Sequence, residues 1–313
     1  MFLVGVVMLT SRFRNPSAKL YKYFETHCKN RTTSMLMGTG VTAVTQSSTA
    51  TSVIAIALIN GGVISLFQAT GIIMGANVGS ALTTLLTTFT AFPVATYFML
   101  LGFVGASIKL AAKHEKWQVA ADMMIAIGIL FVGLHLMGRA FRDNVALRDA
   151  FEGMFERTTF PLLLILLGTT FTMIVQSSTA ATGIFVVMIA EGLMPIQSGI
   201  FLVIGANVGT SFTAIIASLG ANRAAKRVAL VHVLFNVLGA VLFTAIVWPL
   251  SGVIMPWFGG LPVAPVWQLT IFHVIYNVGT MLALIGFIGP LNKLVTAIIP
   301  AKESTCQNAQ EVI

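Results

Sequence analysis

Charged residues are scarce in this chain of 313 residues: Asp, Glu, Lys and Arg together make up 9% of it, whereas hydrophobic residues make up 57%. This composition excludes an ordinary water-soluble domain and predicts an integral membrane protein, with room for many spans of about 20 residues. Only two cysteines are present, Cys28 and Cys306. A disulfide framework is therefore excluded, and both cysteines are predicted to be free thiols.

Carboxylates are missing from the stretch between Thr32 and Lys109, which contains no Asp or Glu. A proton relay inside a membrane normally needs ionisable groups, so this absence favours sodium over protons as a coupling ion. Glu191 is the one acid in the corresponding stretch of the second half, and Gly61 stands 130 residues before it. We interpret this unmatched acid as a loop residue.

The net charge of +8 does not indicate nucleic-acid binding, because the basic residues lie in short loops beside apolar segments, where they orient membrane spans. The mixed-charge loop at residues 139–157 is predicted to be external. The basic segments, and with them the C-terminus, are predicted to be cytoplasmic; they contain Lys109, Lys113, Lys116, Arg223, Lys226, Arg227, Lys293 and Lys302.

The most informative pattern that is present is a duplication. The pentapeptide QSSTA occupies residues 46–50 and 176–180, and GANVG follows each copy, at residues 75–79 and 205–209, so both motifs repeat with an offset of 130. The apolar pieces around these motifs are too short to span a membrane alone. Non-helical backbone at membrane depth is tolerated only where protein buries it or where it lines a watery cavity, so the joints are predicted to point inward.

The predicted fold is an all-α polytopic membrane protein with two inverted-topology repeats. Each repeat has a re-entrant hairpin with QSST at its tip and a discontinuous helix that breaks at GANVG. Repeat 1 covers residues 1–116. Residues 2–8 resemble residues 130–137 but have almost nothing before them, so either the first helix is truncated or the start of the chain is misassigned. Repeat 2 covers residues 117–250, and residues 251–313 add a C-terminal membrane helix and a short tail. Uninterrupted spans are predicted at residues 94–112, 117–138, 223–250 and 268–289.

The two motifs offer different chemistry. The QSST copies supply hydroxyls and amides, and a helix that restarts after each copy presents unpaired N–H groups, which attract an anion. The GANVG glycines allow a tight turn whose carbonyls, together with the side-chain oxygens of Asn77 and Asn207, can face a small alkali ion. Neither motif contains Lys or Arg. An anion would therefore depend on hydroxyls, backbone N–H groups and co-bound cations, so that anion and sodium bind interdependently.

The paired motifs resemble those of the type II sodium/phosphate cotransporters and their bacterial relatives, over residues 32–250. The resemblance implies sodium-coupled uptake of inorganic phosphate across the cell (plasma) membrane, with both QSS motifs meeting near the membrane centre. It implies no organic cofactor, with Na+ as the coupling ion. By motif match, the phosphate site is lined by Ser47, Ser48, Thr49, Ser177, Ser178 and Thr179. The sodium ligands implied in the same way are Gln46, Gln176, Asn77, Asn207, Thr51 and Thr182.

Residue chemistry alone leaves other functions open. A sodium symporter for another oxyanion, such as sulfate or a small carboxylate, would use the same groups, and a passive anion channel can also be lined by helix ends and hydroxyls. The oligomeric state is open, with a homodimer as one option.

An intramembrane serine hydrolase would pair a motif serine with His232 or His273. Nucleophilic catalysis needs one oriented dyad, whereas two near-identical motifs fit one pseudo-symmetric binding site better, so no enzyme is predicted. His232 and Asn236, like His273 and Asn277, stand at i and i+4 of one helix face. We interpret both pairs as packing or interhelical hydrogen bonds.

Overall fold

The protein is all-helical in the computed structural model, which describes residues 4, 22, 24, 26–88 and 95–300, without the side chains of residues 86, 87, 95 and 147. No strand occurs within these ranges. The predicted truncated first helix, at residues 2–8, lies outside them except for Val4. A 3₁₀ turn (Ile285–Phe287) precedes the last helix. The helices are α1 (Arg31–Thr45), α2 (Ser48–Asn60), α3 (Leu66–Thr88), α4 (Ala95–Ala111), α5 (Glu115–Asp143), α6 (Val145–Arg157), α7 (Pro161–Val175), α8 (Ser178–Ala190), α9 (Ile196–Ser218), α10 (Arg223–Val247), α11 (Ser251–Gly259), α12 (Pro265–Leu284) and α13 (Ile288–Ile298).

Four segments of the described chain are long and apolar enough to cross a membrane: α5, α9, α10 and the continuous stretch Pro265–Ile298. Three of them coincide with predicted spans, and the fourth, α9, lies where a discontinuous helix was predicted. The remaining predicted span, at residues 94–112, is a helix of 17 residues, α4. These helices are those of a multi-pass membrane protein.

The helices that carry GANVG are continuous, so the predicted break at this motif is wrong. Residues 75–79 lie inside α3, and residues 205–209 lie inside α9. The glycines allow close packing instead: a Cβ on Gly75 would lie 1.9 Å from the carbonyl oxygen of Met35 on α1, and a Cβ on Gly205 would lie 2.1 Å from that of Ile165 on α7. Each motif therefore lets two helices touch main chain to main chain, a common use of small residues in membrane proteins.

The two halves repeat this contact with the same offset of 130 residues. Gly38 on α1 faces the main chain of Ile72, and Gly168 on α7 faces that of Leu202; an added Cβ would lie 2.1 Å and 2.2 Å from the respective carbonyl oxygens. A hydroxyl hydrogen bond of 3.1 Å accompanies each contact, from Thr39 Oγ1 to the carbonyl of Gly75 and from Thr169 Oγ1 to the carbonyl of Gly205. The sequence duplication is thus a duplication of packing.

A sharp turn joins α1 to α2 and, equivalently, α7 to α8. Gln46 has φ 53° and Gln176 has φ 58°, and these are the only non-glycine residues with positive φ in the described ranges. This left-handed conformation ends the first helix of each pair. The next residue, Ser47 or Ser177, is extended and begins the second helix as its N-cap. Both QSST motifs therefore form the bend of a helical hairpin.

Helix α3 lies at the centre of the bundle. It contacts α1 and α2 of its own half, α8 of the other half, and α10, α12 and α13. A buried apolar cluster joins the halves, since Ile54 and Leu58 of α2 belong to the same cluster as Ala214 of α9 and Val228 of α10. The two hairpins consequently belong to one packed body, and the bend of each can reach α3.

The glycine contact gives a stability prediction. Gly75→Ala places a methyl group against main-chain atoms of α1 and should destabilise the purified protein by about 1–3 kcal/mol, the usual cost of overpacking. Gly40→Ala is the matched control, because nothing lies within 4 Å of a Cβ at that position of α1. Thermal unfolding in detergent is expected to show a lower melting temperature for Gly75→Ala only. Equal melting temperatures for the two variants would contradict the packing.

Candidate functional site

Each hairpin bend fixes its own motif with a local hydrogen bond. Ser47 Oγ accepts the N–H of Ala50 at 3.1 Å, and Ser177 Oγ accepts the N–H of Ala180 at 3.2 Å. These two serines, predicted to line a phosphate site, thus face the first turn of their own helix. The following two residues of each motif point elsewhere.

Hydroxyls from both motifs converge on Ser80 of α3. Ser80 Oγ lies 3.4 Å from Ser48 Oγ, 3.3 Å from Ser178 Oγ and 3.4 Å from Thr179 Oγ1. Thr179 Oγ1 also lies 3.1 Å from Thr83 Oγ1, and Thr49 Oγ1 donates to the carbonyl of Gln176 at 3.5 Å. The structure therefore brings together four of the six predicted phosphate residues. We call Ser48, Thr49, Ser80, Thr83, Ser178 and Thr179 the hydroxyl cluster.

The cluster is uncharged and largely buried. Ser48, Ser80 and Ser178 are 7%, 2% and 3% exposed. Helices α2 and α8 both begin at the cluster, so the unpaired N–H groups of two helix starts lie beside it. Most of its oxygen–oxygen distances exceed the usual O–H···O length, which leaves these hydroxyls able to turn toward another acceptor. Such an arrangement can bind an anion through donors without a fixed positive charge.

Sequence reasoning missed Ser80 and Thr83, which link the two motifs. The available signal was their position directly after GANVG, on the same helix. Their second-half counterparts are Thr210 and Thr213. Thr213 donates to Thr210 O at 2.8 Å, just as Thr83 donates to Ser80 O at 2.7 Å, but Thr210 donates within its own helix, to Ala206 O at 2.9 Å. The cluster is thus supplied by both hairpins but by only one of the two GANVG helices.

The residues predicted to hold sodium from the hairpins have different surroundings. Gln46 and Gln176 are the left-handed bend residues. Thr51 Oγ1 accepts from Thr42 Oγ1 at 2.7 Å and donates to the carbonyl of Ser47 at 3.2 Å. The buried hydroxyl of Thr182 has no hydrogen-bond partner within the described ranges. Sodium binding by these residues stays a prediction.

Asn77 and Asn207 are buried on α3 and α9. The side-chain amide of each donates to the carbonyl four residues earlier, Ile73 at 2.9 Å and Val203 at 2.8 Å. Sodium binding by the side-chain oxygens of Asn77 and Asn207 stays a prediction. The prediction that the GANVG residues form a tight turn whose carbonyls face a cation is wrong, because these residues are helical.

The histidine pentapeptides form interhelical hydrogen bonds, as predicted. His273 Nδ1 lies 3.0 Å from Thr84 Oγ1 on α3. Ser211 Oγ on α9 donates to the carbonyl of His232 on α10 at 3.2 Å and accepts from Asn236 Nδ2 on α10 at 2.8 Å. Within the described chain, the motif serines form hydrogen bonds to other hydroxyls and to main-chain atoms. The ring of His273 forms its hydrogen bond to Thr84 instead.

Glu191 is the C-cap that follows α8 and forms an ion pair with Arg142 of α5, with its side chain 11% exposed. It thus lies in the turn after the helix, in line with its interpretation as a loop residue. The equivalent end of α2 is held without charge, since Asn60 accepts the main-chain N–H and the side-chain amide of Asn222 at 3.0 Å and 3.1 Å.

Fold and site together define a multi-pass helical membrane protein with a buried polar site where two repeated hairpins meet. The chain belongs to the Na+/Pi-cotransporter family, whose family model matches residues 1–139 and 144–262. This assignment confirms the resemblance inferred from the paired motifs.

Relatives with curated names share this region. The putative inorganic phosphate export protein YjbB of Escherichia coli K12 is 28% identical over 294 residues, which is 94% of this chain and 53% of that protein. The uncharacterized protein YqeW of Bacillus subtilis is 28% identical over 261 residues, 83% of this chain and 82% of that protein. The rat sodium-dependent phosphate transport protein 2B is 33% identical over 135 residues, 40% of this chain and 19% of that protein.

The chain spans about half the length of the YjbB relatives it matches. No solved structure shows a significant match to it.

A cross-link tests the convergence of the hairpins. In a background without Cys28 and Cys306, the pair Thr83→Cys and Thr179→Cys should be bridged by Hg²⁺, because the two native hydroxyl oxygens are 3.1 Å apart. Mass spectrometry of proteolytic peptides should find the linked pair, and each single cysteine variant serves as a control. An unlinked pair in which both cysteines react with a small thiol reagent would show that the hairpin bend of the second half does not reach α3.

Proposed function

We propose that this chain is a sodium-coupled symporter of inorganic phosphate in the cell membrane. The observation that carries the proposal is the convergence of Ser48 and Ser178, one from each QSST copy, on Ser80. Family membership and the names of the E. coli and rat relatives support phosphate as the substrate, and the rat relative's name supports sodium as the coupling ion.

Phosphate is held by donors that the hairpins present. Hydroxyls of Ser48, Thr49, Ser178 and Thr179 point their hydrogens at phosphate oxygens, and main-chain N–H groups at the starts of α2 and α8 add to them. Ser47 and Ser177 contribute by fixing these two helix starts. Ser80 and Thr83 complete the site from α3.

Sodium compensates the charge of the anion. Moving an uncompensated anion into a buried, uncharged site is costly, and the hydroxyl cluster contains no Lys or Arg to offset this cost. Side-chain oxygen atoms suited to Na+ are close in sequence to the hydroxyl cluster. They belong to Gln46, Gln176, Asn77, Asn207, Thr51 and Thr182. Ser52, the first-half counterpart of Thr182, also has a buried hydroxyl without a hydrogen-bond partner in the described chain, which supports a pair of equivalent sodium positions. The proposal needs no organic cofactor.

The hairpins are re-entrant in this proposal. Helices α1 and α7 have 15 residues and α2 and α8 have 13. At about 1.5 Å per residue, none reaches across a hydrocarbon core of about 30 Å. Each hairpin therefore enters and leaves on one side, with its QSST bend near the membrane centre.

The repeats have inverted topology, because three crossings, α3, α4 and α5, separate the two hairpins. The first hairpin then opens to the cytoplasm and the second to the outside. The crossings α9, α10 and α12 return the C-terminus to the cytoplasm. This order places Lys109 and Arg223 inside, as the positive-inside rule requires. The proposed units are residues 1–116, 117–250 and 251–313.

Transport follows from moving the two hairpins relative to the surrounding helices, which exposes the shared site to one side and then to the other. A symporter of this kind is reversible, so the combined gradients of sodium and phosphate set the direction of net transport. Uptake and export are therefore the two directions of one transport cycle.

Proteoliposomes test the function. With an inward sodium gradient, radiolabelled phosphate should accumulate above its external concentration, and an equal potassium gradient should give no accumulation. Uptake that never exceeds equilibrium would favour an anion channel. Sodium-driven uptake of sulfate or a small carboxylate in place of phosphate would reassign the substrate, and the absence of any uptake by folded protein would refute the proposal.

Single hydroxyl deletions test the site. Ser48→Ala, Ser178→Ala and Ser80→Ala should each lower uptake at sub-saturating phosphate by about ten-fold or more, the usual effect of losing a hydrogen bond to a charged group. Thr210→Val is the control, because the Thr210 hydroxyl donates to its own helix. Normal uptake by the three serine variants, or an equal loss in Thr210→Val, would remove the site assignment.

A further inference from the structure

Hydrogen bonds continue from the hydroxyl cluster along α3 to another helix. Thr84, one turn beyond Ser80, donates its hydroxyl to the carbonyl of Ser80 at 3.2 Å. The hydroxyl oxygen of Thr84 also lies 3.0 Å from Nδ1 of His273 on α12. Both Thr84 and His273 are fully buried. The Thr84 hydroxyl therefore ties the helix turn that carries Ser80 to α12.

A second tie lies one turn further on. Thr88 Oγ1 is hydrogen-bonded to Thr270 Oγ1 on α12, and it also donates to the carbonyl of Thr84 at 3.1 Å. Two polar contacts thus fix the register of α3 against α12 in a region where apolar neighbours such as Leu269 and Phe272 are buried. Apolar packing alone tolerates small sliding, whereas hydrogen bonds of defined length do not.

A buried histidine at position 273 lowers stability if its side chain serves only to pack the helices. Its Nε2 atom is buried and has no hydrogen-bond partner in the described chain, and the same holds for the side-chain oxygen of Asn277 on the same helix face. A buried polar atom without a partner lowers stability. A leucine would fill a similar volume without this cost, which argues that the Nδ1 contact has a use beyond holding the bundle together.

We propose that His273 is a positioning residue of the transport site. Its Nδ1 contact holds Thr84, and through Thr84 it fixes the turn of α3 that presents Ser80 and Thr83 to both QSST bends. The proposal rests on the proposed function and deepens it. Helix α12 lies outside both sequence repeats. Through this contact, the C-terminal segment helps to position the residues of the site.

The other histidine pentapeptide provides the contrast. His232 occupies the same place in its pentapeptide and is equally buried, but neither of its ring nitrogens has a hydrogen-bond partner in the described chain. Its tie to α9 runs through its main-chain carbonyl, which any residue can supply. Replacing the His232 side chain should therefore leave the hydroxyl cluster in place, and His232→Leu is a matched control for burial and size.

The experiment compares side chains that keep or lose the Nδ1 position. His273→Asn places an amide near the position of Nδ1, His273→Gln places one near Nε2, and His273→Leu removes both. In sodium-driven phosphate uptake, His273→Leu and His273→Gln should raise the phosphate KM by about three- to ten-fold, the range expected for one lost hydrogen bond, with a smaller effect on the maximal rate. His273→Asn should restore a KM near that of the wild type.

A double-variant cycle tests whether His273 acts on the site through Thr84. Thr84→Val should raise the KM like His273→Leu, and the combined variant should be no worse than the more affected single variant, because both changes break one contact. Additive effects would overturn the proposal. So would an unchanged KM in His273→Leu, an equal rise in His232→Leu, or failure of His273→Asn to restore the KM while the protein remains folded. If the wild type itself shows no sodium-driven uptake, the proposed function fails and this inference falls with it, a result distinct from any difference among variants.

Discussion

The direct contact of main chain with main chain, α1 on α3 and α7 on α9, is the constraint on which the rest of this structure depends. It exists because Gly38 and Gly75, with their counterparts Gly168 and Gly205, leave no side chain between the helices. Helices that approach this closely fix each other's depth and rotation. The end of α1, and with it the bend at Gln46, is therefore held at one height along α3. The same packing in the other half holds the bend at Gln176, so the glycines determine where the hydroxyls of both QSST motifs lie.

The close helix packing is repeated in the two halves, but the site is not symmetric. Ser80 of α3 meets serines of both hairpins, whereas its counterpart Thr210 donates to its own helix. The outer ends of the hairpins are also held differently, by an ion pair at Glu191 and by neutral amide contacts at Asn60. The duplicated unit thus provides two similar helix starts beside one cluster of hydroxyls. Family membership and the uncharged cluster together favour a site in which phosphate and sodium bind as a pair.

Much of this architecture was predictable from the sequence, and the failures have physical reasons. Composition predicted a helical membrane protein, and the offset of 130 residues predicted two matching halves that contribute to a shared site. The family resemblance implied that the QSST motifs meet there. The GANVG glycines were misassigned to a helix break because a tight turn and a close helix contact both require a missing side chain; only the neighbouring helix distinguishes them. Ser80 follows GANVG directly, but it was missed because the sequence does not show which neighbouring helices a hydroxyl within a continuous helix faces. The i, i+4 spacing of His273 and Asn277 identified a helix face, but it does not say that the face meets Thr84.

We infer that one site between the two hairpins binds phosphate and sodium together. Equilibrium binding of radiolabelled phosphate to the purified protein, measured over a range of sodium concentrations at constant ionic strength with potassium as the replacement, tests it most directly. We expect one saturable phosphate site whose affinity rises with sodium, and a sodium affinity that rises by the same factor when phosphate is present, as thermodynamic linkage requires. Saturable phosphate binding that is equally tight in potassium would contradict it.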